Sequence, residues 1–342
     1  MSYKDLKTCL RFSWFILSLL FCLNLRAQSN FDAVDQLLKT NQKSLGNFVA
    51  LAWKDGKIVY QKQSNPDFTA KAQAPIGAAG NWMTAALVMT FVDEGKLSLE
   101  DKVTKFVPLF GKYMKGYITV RNCLTHTTGV RGEAGVRIET KSKFESTEDM
   151  VNNYASKHDI VTNPGTEFFY SEIGPNIVAR VLEVVGKKPF DRLMMERIIR
   201  PCKMKATTFT SDDGGAINAS GGGKSTANDY LNFLQMLINK GQFEGKRVLS
   251  EKAVEEMETG QFAALPVKYA GPGLSGAKFG LGSFIMDNNS FACPDGYGVV
   301  PFFDKCRKYA AILIVEKPEE EKKPLLQSLM SLIGEQMGAC AN

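Results

Sequence analysis

Acyl transfer through a serine needs a hydroxyl and, one helical turn away, a base that takes its proton; a lysine serves when burial lowers its pKa. The spacing Ser-x-x-Lys occurs once in this 342-residue chain, at Ser275-Gly-Ala-Lys278. That match lies in GPGLSGAKFGLG, a glycine-rich loop leading into a strand, where residues three apart do not share a face as they do on a helix. It reads as structural. His126 and His158 are the only histidines, and neither Cys-x-x-Cys nor His-x-x-x-His spacing appears, so no metal site is expected and no cofactor is implied. GGGKST at 221–226 ends like a phosphate loop, but that loop needs a glycine where Asn218 stands, and no nucleotide site is expected.

The element able to position reacting groups is residues 75–101, PIGAAGNWMTAALVMTFVDEGKLSLED. Between 78 and 92 only Gly80, Asn81, Thr84 and Thr90 are not apolar, and a helix apolar on nearly every side belongs inside a large core. Gly95 supplies a left-handed stop. Ala78 and Asn81 are one turn apart, so they share a face at the helix start, where unpaired N–H groups and the helix dipole favour an anion.

This stretch resembles the opening of the serine beta-lactamase and penicillin-binding-protein superfamily, in particular its class C and esterase-like branch, in which a Ser-x-x-Lys motif starts such a helix. LTHTTGV at 124–130 resembles that family's Leu-Thr-His-Thr-Ser-Gly segment, and PGTEFFYSEIGPNIVARVLEVVGKKPF at 164–190 resembles its Tyr-x-Asn region. SGGGKSTANDYLNFLQMLINKG at 220–241, followed by FGLG at 279–282, resembles its C-terminal half. The likeness covers nearly the whole chain beyond the leader and departs at the chemistry.

With the register fixed by Trp82-Met-Thr-Ala-Ala-Leu, Ala78 stands where the nucleophilic serine should be and Asn81 where the lysine should be. Tyr170 falls at the motif tyrosine, whose phenol assists proton transfer, but Glu172 replaces the asparagine. The third motif, Lys or His-x-Gly on a strand beside the site, falls at Cys293-Pro294-Asp295, and Gly296 takes the glycine place if the register slides by one. The resemblance therefore implies degenerate catalytic positions at Ala78, Asn81, Tyr170, Glu172, Cys293 and Asp295. Ala78, Asn81, Tyr170, Glu172, Asp295 and Gly296 are the residues left to meet a ligand. The plain alternative for Tyr170 is a core tyrosine with its hydroxyl paired. Cys293 as a substitute nucleophile would need a depressed pKa, and no histidine lies in a matching position. His126 falls in a structural loop of the family and is expected as a hydrogen-bonded turn residue. Losing a lysine at Asn81 and a Lys or His at Cys293, while gaining Glu172 and Asp295, inverts the pocket's charge. It should then prefer a neutral or cationic group to a carboxylate.

Residues 1–27 carry Lys4, Lys7 and Arg11, then an apolar run, and end at Ala27, the pattern of a secretory signal peptide. A retained membrane anchor is the alternative, but the apolar run is short of the roughly 20 residues a span needs. Cleavage near Ala27 removes four cations and one acid from a chain of net charge +6, leaving +3, and gives nucleic-acid binding no support. Cys123, Cys202, Cys293, Cys306 and Cys340 remain. Cys293 with Cys306 is the expected disulfide, because both flank a strand pair; unpaired thiols throughout are the alternative.

With 44% apolar residues, 28–342 can form one large core. Residues 31–43 read as a helix and 47–63 as a hairpin around Lys54-Asp55-Gly56. Strands are expected near 279–287, 291–303 and 309–317, and a last helix over 324–337. The hydrophilic run EKPEEEKK at 316–323 is expected as a solvated link. The expected class is α+β with the beta-lactamase-like fold: an antiparallel sheet joining both chain ends, flanked by helices, and a mostly helical middle over 80–260. Three functions fit. The first is an exported binding protein without catalysis, holding a peptide, cell-wall fragment or protein partner in its groove. The second is a hydrolase or transferase working through Tyr170 and Glu172. The third is a structural or assembly protein whose groove is filled by its own side chains.

Overall fold

The computed structural model describes residues 30–136, 142–262, 264–271, 278–286, 290–294, 298–316 and 323–340. The chain enters through helix α1 (Asp32–Thr40) and a hairpin of β1 (Phe48–Lys54) and β2 (Lys57–Gln63). Asn41 separates α1 from a short second turn, Gln42–Leu45. Its Nδ2 donates to the Leu37 carbonyl at 2.8 Å, a side-chain bond that competes with the helix ladder and divides the expected single helix. The hairpin turns at Asp55 and Gly56, both at positive φ (50° and 81°), the geometry that matches strand twist.

The middle is helical: α2 (Gly80–Asp93), α3 (Thr147–Lys157), α4 (Ile173–Gly186), α5 (Ala227–Ile238) and α6 (Glu251–Glu258). Ser146, Thr226 and Ser250 begin α3, α5 and α6 by accepting a backbone N–H three residues on, the usual hydroxyl cap. The chain then returns to strands β3 (Lys278–Phe279), β4 (Phe284–Ile285), β5 (Ser290–Ala292), β6 (Val300–Asp304) and β7 (Tyr309–Val315), and to helix α7 (Lys323–Glu335). These join the hairpin in one seven-stranded antiparallel sheet of order β3-β4-β5-β6-β7-β1-β2.

Strand alternation sorts the sheet's two faces. Val49, Leu51, Phe303, Ile312 and Ile314 join the large core formed with α2, α4 and α5, while Phe48, Ala50, Ala52, Leu313 and Val315 join a second cluster under α1 and α7. β7, with both faces covered, is buried along its whole length, which is why YAAILIV is apolar without alternation. Helix α2 runs through the large core with twelve of its fourteen residues buried, and it stops at Gly95, φ 67°. The near-uniform apolarity of 78–92 is thus the signature of a helix with neighbours all round.

The chain ends are fastened to the turn side of the sheet. Lys54 Nζ donates to the Met337 carbonyl at 2.5 Å and Arg307 Nε to the Gly338 carbonyl at 3.1 Å, while Arg307 also bridges Asp304 at 2.7 Å. A disulfide joins Cys306 to Cys340, with Cα atoms 4.9 Å apart. The expected Cys293–Cys306 pairing is therefore wrong: Cys293 is a buried thiol outside this disulfide, at the other end of the strand pair. The partner of Cys306 arrives because α7 doubles back and delivers the chain end to the β6–β7 turn.

Candidate functional site

Ala78 sits in a single 3-10 turn, Gly77–Ala79, immediately before α2, and is 2% exposed. Close approach of backbones shapes this corner. A Cβ on Gly80 would lie 2.4 Å from the Ser220 carbonyl oxygen, so glycine is required for the 220 segment to pass against the helix start. The approach brings Ser220 beside Asn81, 139 residues away in sequence: Ser220 Oγ donates to Asn81 Oδ1 at 2.5 Å. On the other side Asn81 Nδ2 donates to the Tyr170 hydroxyl oxygen at 3.0 Å. Cys293 Sγ donates to the Ala78 carbonyl at 3.2 Å, and the Tyr230 hydroxyl to the Ala79 carbonyl at 2.8 Å. Ala78, Asn81, Tyr170 and Cys293 thus converge at the start of α2.

Every one of these groups is buried, and Tyr170, Ser220 and Tyr230 are fully so. Burial pushes the Tyr230 hydroxyl well above the usual tyrosine range, helped by neighbouring Cys293 and Tyr170. A neutral amide bonded on both sides stands where the resemblance puts the motif lysine. Asn81 cannot titrate, and Ala78 has no oxygen to deprotonate.

An aromatic wall closes over this knot. Tyr170 stacks on Phe284 at 5.8 Å between centroids and meets the His126 ring at 4.2 Å, with Phe168 and Phe279 packed alongside. Gly271, at φ 68°, lies so near that a Cβ there would sit 2.4 Å from the Tyr170 ring. His126 adopts φ 55°, receives the Ser171 N–H on Nδ1 at 3.4 Å, and leaves Nε2 buried without a partner. Burial drives its pKa down to about 3, so the ring is neutral.

Glu172 lies apart from the knot, at the N-cap position of α4, where the helix dipole favours a carboxylate. Its Oε2 accepts from Asn218 Nδ2 at 3.1 Å, and the residue is 8% exposed. Asp295, Gly296 and Ser275 lie outside the described residues, as does most of the 316–323 run; Lys278 opens β3 on the surface. Ser220, Tyr230 and Asn218 were not foreseen as members of this site. The one available signal was that SGGGKST leads straight into a helix cap, which marks a tight turn but not what it touches. Among the described residues no group of His, Cys, Asp and Glu could hold a metal ion. An open cleft of about 790 Å³ lies elsewhere, beyond the turn end of the sheet, between Trp53, Asp55, Lys240, Arg247 and Lys308.

The same arrangement of sheet and helices recurs in solved structures. A beta-lactamase candidate from Bacteroides dorei superposes with a TM-score of 0.79 at 26% identity, covering 90% of this chain and 99% of its own. An octameric penicillin-binding protein homologue from Pyrococcus abyssi superposes with a TM-score of 0.73 at 18% identity, over 90% of this chain and 78% of its own. In sequence, the D-alanyl-D-alanine-carboxypeptidase/endopeptidase AmpH of Escherichia coli is 26% identical over 184 residues, 47% of this chain and 48% of that protein. The chain spans about half the length of the curated relatives it matches first. The profile of the Beta-lactamase family matches residues 32–330, which takes in the helix start at Ala78, the Tyr170 segment and the Cys293 strand. With its fold and a family profile matched over most of its length, the chain belongs to the beta-lactamase family.

Proposed function

We propose that this protein is an exported, non-hydrolytic member of its family that acts by binding, with a peptide or cell-wall fragment as the ligand class. The carrying observation is the Asn81 amide held between Tyr170 and Ser220 beside an alanine, an arrangement without the serine–lysine pair that the family resemblance puts at 78 and 81. Charge near the knot supports the choice of ligand: the Glu172 carboxylate, buried and bonded to Asn218, favours a neutral or cationic group over a carboxylate. A relative named for D-alanyl-D-alanine carboxypeptidase action supports a peptide. The leader at 1–27 and the Cys306–Cys340 disulfide both suit an oxidising compartment outside the cytoplasm.

Intact-mass analysis after incubation with beta-lactams and a fluorophosphonate tests the reading, on the mature protein and on an Ala78→Ser, Asn81→Lys variant. No adduct on the unaltered protein and acylation of the variant are expected. An adduct or turnover on the unaltered protein would overturn the proposal in favour of an enzyme working through Tyr170 and Glu172. The aromatic wall over Tyr170 favours a second reading, a groove filled by its own side chains in a structural protein. That reading gains if the variant stays unlabelled and neither an amidated peptide nor its free-carboxylate form raises the melting temperature.

A further inference from the structure

Among the described residues the two most exposed large apolar side chains, Met114 and Tyr117, sit on one turn with a third, Tyr113. After the short helix Leu109–Lys112, Tyr113 is 39%, Met114 83% and Tyr117 75% exposed. The turn is pinned from inside. Phe110 is fully buried, the Lys115 N–H donates to the Phe110 carbonyl at 2.8 Å, and Lys115 Nζ is buried against the Ala155 carbonyl at 2.5 Å. The tip is therefore presented by a fixed base.

Met114 occupies this turn at φ 61°. Eight described non-glycine residues have positive φ, and Met114 is the one apolar member among them; the others are Asp, Glu, Lys and His. Glycine would hold the same turn without strain, and a methionine 83% exposed adds nothing to the core. Its cost has no internal return, so the side chain's use lies outside the molecule.

The surroundings are cationic. From Lys102 to Gly132 the chain carries six Lys or Arg residues and no acid. Arg121 and Arg131 are engaged by Glu100, Glu256 and Glu167, and Lys105 by Asp101, while Asp159 acts on buried Lys115. Lys102 and Lys112 have no carboxylate partner among the described residues, and Lys102 Nζ lies 5.2 Å from the Tyr117 ring centroid. The uncommitted charges are lysines, point charges suited to a diffuse anionic surface, whereas the arginines suited to bidentate docking on a protein carboxylate are occupied.

We infer that this tip is a peripheral contact for an anionic phospholipid surface. Met114, Tyr113 and Tyr117 enter the headgroup layer, where amphipathic rings and flexible apolar chains settle, and Lys102 and Lys112 lie over the phosphates. Among the described residues no helix is long and apolar enough to cross a membrane. The contact uses no residue near Ala78 and stands or falls apart from the function proposed above.

The test is flotation of the mature protein with vesicles of phosphatidylcholine alone or mixed with phosphatidylglycerol. Binding is expected on the anionic vesicles and should weaken as salt rises. Lys102→Gln and Lys112→Gln should each lower partition about fivefold, and Met114→Gly with Tyr117→Ser about tenfold. Because Met114→Gly relieves the turn, its melting temperature should hold or rise, separating lost binding from lost folding. Absence of binding to anionic vesicles, or binding indifferent to Met114→Gly with Tyr117→Ser, would overturn the inference. So would a dimer in sedimentation velocity that the same pair of substitutions dissolves, which would assign the tip to a second copy of the chain.

Discussion

The start of α2 and the turn end of the sheet solve the same problem, holding distant segments together, by opposite means. Around Asn81 the fastening is neutral and wholly buried: an amide, a serine, a thiol and two tyrosines, each bonded to a neighbour. Around Cys306 it is ionic and covalent, with Lys54, Arg307 and Asp304 tying down the chain end beside the disulfide. Burial explains the division. A charge placed at Asn81 would lose its hydration to fully buried walls that offer no counter-ion, whereas at the turn the cations are partly exposed and the buried Asp304 carboxylate is paired with Arg307. A lysine in place of Asn81 would carry that desolvation cost, and the neutral amide does not.

The largest test of the contrast is removal of the covalent fastening. Cys306→Ser opens a loop spanning 34 residues and should lower stability by about 4 kcal/mol. Urea unfolding should show it, with reductant reproducing the loss in the unaltered protein and adding nothing in the variant. Next comes Asn81→Leu, which keeps the volume but removes both amide bonds in a dry site, for a loss of about 3 kcal/mol. If it costs less than about 1 kcal/mol, the buried knot is packing alone and the comparison fails.

The smallest effect is the pH dependence of the wall behind the knot. His126 is neutral in the fold with its pKa held near 3 by burial, whereas the unfolded chain protonates near 6.5. Between those values the unfolded state binds the extra proton, so stability is full above about pH 6.5 and falls as pH drops. From pH 7 to pH 5 the loss from this group is about 2 kcal/mol. His126→Asn, which tolerates the positive φ, should flatten the slope by that amount in denaturation measured at both pH values.

The strands and α2 could be read from the sequence because their signals are local: the apolar run of β1 ending in the Lys54-Asp55-Gly56 turn, unbroken apolarity in β7, near-uniform apolarity in 78–92, and Gly95 as a stop. The place of Asn81 could be read because Trp82 and the residues after it set the register. Its bond to Ser220 could not, since a contact across 139 positions leaves no mark in either segment. The disulfide misled for the same reason. Cys293 and Cys306 looked paired because they flank adjoining strands, but pairing depends on which strand end each occupies, and that was decided by the path of α7.

The clasp between Cys306 and Cys340 also sets how the molecule carries load. A pull applied at Cys340 passes through the sulfur bridge into the β6–β7 turn, and from there along the central strands. Helix α7, lying inside the closed loop, is left slack, so an attachment at that end would strain the sheet before it peeled the helix from its face.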